Sequence, residues 1–228
     1  MDDLATAALL VPQGAEYQAV CRGAGRATPT AIAMGRASVA QLDLLLEHPP
    51  NRVVLLGLGG SLSPARRPGD VVVYRDCIDQ GSEQRLRCDG ALYADLCQIL
   101  NRQTMRAKPL RVTTATGLTS DRVVCSAAEK RQLGQRHGAA VVDMEGFWVL
   151  ERLQAQRVAV GIVRVISDGV GGDIPDLSQA MGPDGALRPL ALTTAMGRSP
   201  LSALRLIRGS LQGLSVLRQV ATQLQDLT

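Results

Sequence analysis

The sequence predicts an α/β fold in a single domain, built on a mostly parallel central sheet flanked by helices. Three observations carry this. Short β-branched or aliphatic runs alternate with helical patterns along the chain. Several of those runs, such as Val53-Val54-Leu55-Leu56, are apolar without alternation, as expected for strands covered on both faces. A chain of 228 residues with no repeat and no low-complexity linker suits one such domain.

In chain order, strands are predicted at 7–11, 30–34, 52–57, 70–74, 111–115, 139–142 and 158–166, where aliphatic and β-branched residues cluster. Helices are predicted between several of them, at 37–47, 91–102, 127–137 and 145–156. After Asp168 the chain becomes rich in glycine, proline and aspartate, and residues 169–185 read as a mobile loop. Ser199 and Pro200 then stand at cap and first-turn positions of a last helix. Leu204, Ile207, Leu211, Leu214 and Leu217 form one stripe of that helix, and Arg205, Arg208, Gln212, Ser215 and Gln219 a separate polar one. Gly209 and Gly213 weaken it locally. Residues 1–184 are thus read as the body of the domain, and 185–228 as a basic amphipathic helical segment packed on the same domain. That segment has two readings. It is a terminal helix that covers the sheet, or one that meets a membrane surface or a greasy ligand.

Composition removes several function classes. Apolar residues make up 46% of the chain, and no apolar run approaches the roughly 18 residues of a membrane-spanning helix. Met1-Asp2-Asp3 is acidic where a secretory signal is positive. The formal charge of +4 sits in residues 185–228, where five arginines face one acid, Asp226. The first 184 residues balance, 20 basic against 20 acidic, and aromatics are only 2%, so the stacking platforms of a nucleic-acid binder are missing. Only Lys108 and Lys130 are lysines; the other 23 cationic residues are arginine. The five cysteines are odd in number and scattered, with no pair at zinc-site spacing, which fits reduced structural thiols in a cytoplasmic protein and no metal centre.

Three segments carry chemistry. Gly57-Leu58-Gly59-Gly60-Ser61 follows a strand, but Pro64, Pro68 and a further strand come next where a dinucleotide site needs a helix. Its glycines therefore either admit a ligand close to the backbone or make a tight turn. Asp143 and Glu145 flank Met144 at a strand–helix junction, and Asp168 ends the strongest strand. Carboxylates at strand ends can hold sugar hydroxyls or move protons; alone, they serve equally as helix caps and dipole partners.

Together these segments resemble the nucleoside phosphorylase and nucleosidase superfamily. Val141-Val142-Asp143-Met144-Glu145-Gly146 is similar to its ribose-binding segment, and Arg164-Val165-Ile166-Ser167-Asp168 to its catalytic strand end. Gly57 to Pro64 followed by Pro68-Gly69-Asp70-Val71-Val72-Val73 resembles its glycine loop and next strand. The likeness runs from about residue 7 to 170, in the family's order. Within the superfamily the chain most resembles the hopanoid-associated type, which also carries leucine at the place of Leu58 and releases adenine from adenosylhopane.

The resemblance implies a mixed, mostly parallel sheet, a homo-oligomer such as a dimer, and cleavage of the N-glycosidic bond of an adenine nucleoside, lipid-linked in the hopanoid case. Methylthioadenosine/S-adenosylhomocysteine nucleosidase and a silent nucleoside-binding protein are the alternatives. It implies Asp168 as the acid that protonates the purine, Ser167 as its orienting partner, Glu145 as the ribose carboxylate, Met144 beneath the sugar, and Gly59 and Gly60 lining the site. Glu16 stands where the nucleosidases keep the glutamate that positions water. Phosphorolysis would add inorganic phosphate as co-substrate, with Arg36 as the candidate cation, and no other cofactor.

Overall fold

A computed structural model describes residues 7–45, 49–102, 109–176, 196–197 and 199–227. Along the chain run β1 (Ala8–Pro12), α1 (Ala15–Cys21), β2 (Thr30–Ile32), α2 (Ala37–Leu45), β3 (Arg52–Ser61), β4 (Val71–Asp79), β5 (Arg85–Arg87), α3 (Gly90–Asn101), β6 (Val112–Thr119), α4 (Ala127–His137), β7 (Val141–Asp143), α5 (Gly146–Gln154), β8 (Ala159–Asp168) and α6 (Pro200–Gln223).

All eight strands belong to one mixed sheet, with the order β2-β1-β3-β7-β6-β4-β5 and β8 bridging β3 and β4. Because β3 pairs with both β7 and β8, and β4 with both β6 and β8, five strands close into a ring. Five pairings are parallel and three antiparallel among the described residues, so the expected mixed, mostly parallel α/β fold stands.

Both faces of the sheet are covered, which explains the unbroken apolar runs. Along β3, Val53 and Leu55 turn toward a core with Leu42 of α2 and Phe147, Trp148 and Leu150 of α5. Val54 and Leu56 turn the other way, toward Leu92 and Leu96 of α3 and Leu217 and Val220 of α6. Capping follows local chemistry. Asp89 accepts from Leu92 N at 2.8 Å to start α3, Ser126 starts α4, and Gly138 ends α4 in the left-handed region.

Four differences from the sequence expectation bear on the site. The helix α1 is unpredicted, since it has seven residues and its cap position is Gly14, which offers no side chain. The three-residue, largely exposed β5 carries no readable pattern. The glycine segment is neither a loop nor a tight turn: Gly57 to Ser61 continue β3. The segment after Asp168 is anchored as far as it is described, through Ala127 N to Asp173 Oδ1 at 2.7 Å and Arg131 Nη1 to Val170 O at 2.7 Å. The remainder of the predicted loop, 177–185, lies outside the described residues.

In α6 the packing face is also not the leucine stripe. Leu204, Ile207 and Leu211 are exposed and only Leu217 of that stripe is fully buried, while Ala203, Gly209, Gly213, Val220 and Ala221 face inward. A Cβ at Gly209 would sit 2.0 Å from the Ser167 carbonyl oxygen. The glycines let the helix lie directly on the end of β8.

Candidate active site

The site forms where β3, β7 and β8 meet. Opposite the step from Gly59 to Gly60, β8 carries one extra residue: Gly59 pairs with Ile166 and Gly60 with Asp168. Ser167 is the bulged residue, and the bulge re-aims the strand end. The carboxyl of Asp168 lies against Gly60, where a Cβ would be 3.2 Å from Oδ2. Because β7 runs antiparallel to β3, with Gly60 opposite Val142, it delivers Asp143 and the following Met144-Glu145 beside the same glycines.

At the centre stands Arg164, 0% exposed in the middle of β8. Its Nε donates to Asp143 Oδ2 at 2.9 Å and its Nη2 to Glu145 Oε2 at 3.2 Å. The guanidinium crosses β3 at Gly57, where a Cβ would be 2.1 Å from Nη1 and 2.7 Å from Glu16 Oε2. Only glycine leaves that passage open. Nη1 itself is buried without a hydrogen-bond partner. Asp143 also accepts from Thr119 Oγ1 at 2.7 Å and Gly146 N at 3.0 Å; Glu145 accepts from Gly35 N at 2.9 Å and Glu16 from Leu58 N at 2.7 Å.

Three carboxylates thus share one guanidinium, and their proton affinities reflect it. Burial, then the charge of Glu145, push the Glu16 carboxyl up from 4.5 to about 7 against the opposing pull of Arg164 and the Leu58 amide. Burial likewise raises Glu145, opposed by Arg164. Burial would lower the Arg164 guanidinium, but Asp143 and Glu145 more than reverse that and hold it charged. A carboxyl poised near 7 can take up and release a proton under neutral conditions.

At the other end Asp168 is held on both oxygens. Oδ1 accepts from Ser167 Oγ at 2.8 Å, and Oδ2 pairs with the ammonium of Lys130, itself 1% exposed on α4. A cavity of about 440 Å³ connects the two ends, a volume within the range of small-molecule sites. Glu16, Met144, Glu145, Gly59, Gly60, Ser167 and Asp168 all line it, and Ile207 and Leu211 of α6 form part of its wall. Among the described residues no group of three or more histidine, cysteine or acidic side chains is arranged to hold a metal ion.

Arg36, the candidate phosphate ligand, is not brought into this cavity. It is exposed and its guanidinium stacks on Trp148, 4.3 Å from the ring centre, beside Glu151 and Arg152 of α5. Two site residues escaped sequence reasoning as functional. Arg164 had a signal, since a charge between valines in an apolar strand is tolerated only with buried partners. Lys130 had little beyond its rarity: it stands on a polar helix far from Asp168 in sequence.

Comparison with known proteins agrees with this architecture. The family model described as the phosphorylase superfamily matches residues 11–196. No curated protein matches the sequence. Among solved structures, the fold is similar to that of Helicobacter pylori 5′-methylthioadenosine/S-adenosylhomocysteine nucleosidase bound to butyl-thio-DADMe-Immucillin-A. There the TM-score is 0.66 and the identity 16%, over 93% of this chain and 96% of that one. It is similar to the futalosine hydrolase of the same organism (0.64, 14%, 91% and 98%) and to the Campylobacter jejuni 5′-methylthioadenosine/S-adenosylhomocysteine nucleosidase (0.60, 14%, 90% and 98%). With four-fifths of its length matched by that family model, the chain belongs to the phosphorylase superfamily, as an enzyme of the nucleoside phosphorylase and nucleosidase kind.

Proposed function

We propose that the protein hydrolyses the N-glycosidic bond of an adenine nucleoside. The observation that carries this is the pairing of Glu16, poised near 7, with the unpartnered Nη1 of Arg164 at Gly57. A water molecule held there can donate to the carboxylate and accept from the guanidinium, and Glu16 can take its proton as it attacks the anomeric carbon. Among the described cavity-lining residues the two cationic ones, Lys130 and Arg122, are already engaged with Asp168 and Glu129. Neither of these two is spare to recruit phosphate, which favours water over phosphorolysis.

The remaining roles follow from charge development. Bond cleavage places positive charge on the ribose ring and negative charge on the purine. Glu145 holds the ribose hydroxyls, Met144 packs beneath the sugar, and the carboxylates around Arg164 stabilise the cationic ring. Asp168, oriented by Ser167, protonates the leaving purine, and an aspartate there also accepts from the exocyclic amine of adenine. The 5′ substituent is apolar, as in a hopanoid-linked nucleoside. Ile207 and Leu211, 44% and 62% exposed, continue from the cavity wall into an apolar ridge with Leu204 and Leu201.

The test is adenine release from an adenosyl lipid and from methylthioadenosine, each with and without phosphate. Release independent of phosphate, faster with the apolar substrate, is expected. Strict phosphate dependence would make the enzyme a phosphorylase, and preference for methylthioadenosine would remove the apolar specificity. Asp168→Asn should lower kcat by about 10² to 10⁴-fold, the scale of general acid catalysis; unchanged turnover would sink its assignment.

A further inference from the structure

The mechanism leaves one buried group unused. Lys130 has its Nζ on Asp168 Oδ2 and forms part of the same cavity wall. The residues on either side of it pin α4 to the segment beyond β8: Ala127 N donates to Asp173 Oδ1 and Arg131 Nη1 to Val170 O, each at 2.7 Å. These bonds fix α4, and with it the backbone that carries Lys130, next to the end of β8.

The identity of the cation is informative. The chain uses arginine at 23 of its 25 cationic positions and a lysine at this one. Arginine is the better partner where only a fixed charge is needed, because its fork grips a carboxylate with two parallel bonds. It cannot, however, give up a proton under physiological conditions, whereas a buried lysine can. The other carboxylate oxygen is occupied by the Ser167 hydroxyl, so the ammonium is the one acidic group that touches Asp168 among the described residues.

We propose that Lys130 supplies, through Asp168, the proton taken up by the departing purine. The inference rests on the nucleosidase reading above. Nζ protonates the Asp168 carboxylate, leaving a neutral amine. The resulting carboxylic acid protonates a purine ring nitrogen as the bond from C1′ to the base breaks and its electron pair passes to the base. Water bonds to C1′ and its proton goes to Glu16. Loss of the proton from Glu16 to solvent and uptake of one by Lys130 restore the enzyme, so that nucleoside and water give free sugar and purine. Lys130 acts through Asp168, so its role is to load and position that carboxyl.

The experiment uses the full chain and the nucleoside it cleaves fastest. Wild-type release of purine is measured first; its absence from every nucleoside would count against the nucleosidase reading, not against Lys130. With release established, K130R and K130M should both lose about 10² to 10³-fold in kcat, with KM within a few-fold of wild type. K130A should recover turnover in proportion to added ethylamine, a rescue that a merely structural role would not give. K130R at wild-type turnover would show that the charge alone matters. Wild-type turnover in K130M, or no amine rescue of K130A that retains adenine binding and its thermal transition, would equally overturn the proposal.

Discussion

Glu16 illustrates how one residue's environment sets its chemistry. An ordinary glutamate is fully ionised at neutral pH, but enclosure beside Glu145 and Asp143 moves this one to about 7. In the unfolded chain its carboxyl ionises near 4.5, in the folded protein near 7. Ionisation therefore opposes folding: the penalty begins above about pH 4.5 and is complete above about 7, at most on the order of 3 kcal/mol. Glu16→Gln should raise the Tm at pH 8 and leave it nearly unchanged at pH 4, read by thermal denaturation at both. In its proposed role as the base, the same residue should give kcat/KM an acid limb with a midpoint near 7. The variant should lose that limb together with most of its activity. A stability gain equal at both pH values would contradict the buried-carboxylate account.

Among the elements, α6 departs furthest from its apparent design. Its leucines suggest a packing stripe, yet it seats on β8 through Gly209 and Gly213, whose missing side chains admit the Ser167 carbonyl and the Leu58 side chain. Glycine to alanine in an exposed helix normally adds about 1 kcal/mol of stability. Here Gly209→Ala should act with the opposite sign, since its Cβ would need to displace the backbone at Ser167. A loss of about 1 to 3 kcal/mol, the usual cost of overpacking, is expected in denaturant unfolding. Because Ser167 carries Asp168, activity should fall alongside stability. A stabilised, fully active Gly209→Ala enzyme would show that the helix seat is not shared with the site.

For the whole molecule, closure of the sheet decides what is rigid. β3 hydrogen-bonds to β1, β7 and β8, and β8 joins β3 to β4 through Val163 to Val165, so both strands are flanked on each side over part of their length. β2 and β5 each pair with one neighbour and are largely exposed. Amide hydrogen exchange should therefore be slowest in 53–57 and 160–165 and fastest in the two edge strands. Equal protection across all strands would mean that the ring opens as a unit. No described helix is long and apolar enough to cross a membrane. Three of the five arginines of residues 185–228, Arg205, Arg208 and Arg218, lie on α6, which also presents an apolar ridge beside the cavity.

Local pattern alone determined the α/β alternation, the buried strands and most helices of this protein, because burial on both faces and side-chain capping write themselves into neighbouring residues. It also marked Glu145 and Asp168, since carboxylates at the ends of apolar strands stand out from their surroundings. What pattern could not reach were contacts whose partners are distant in sequence. Lys130 meets Asp168 across 38 positions, and Glu145 meets the Gly35 amide across 110. Gly57 is a glycine because a guanidinium passes over it, and Gly209 because a carbonyl does. Glu16 is shifted because it is buried, and next because Glu145 lies beside it, against the pull of Arg164. These depend on excluded volume and on charge held in a dry interior, and both exist only once the ring of strands has closed and α6 has covered its end.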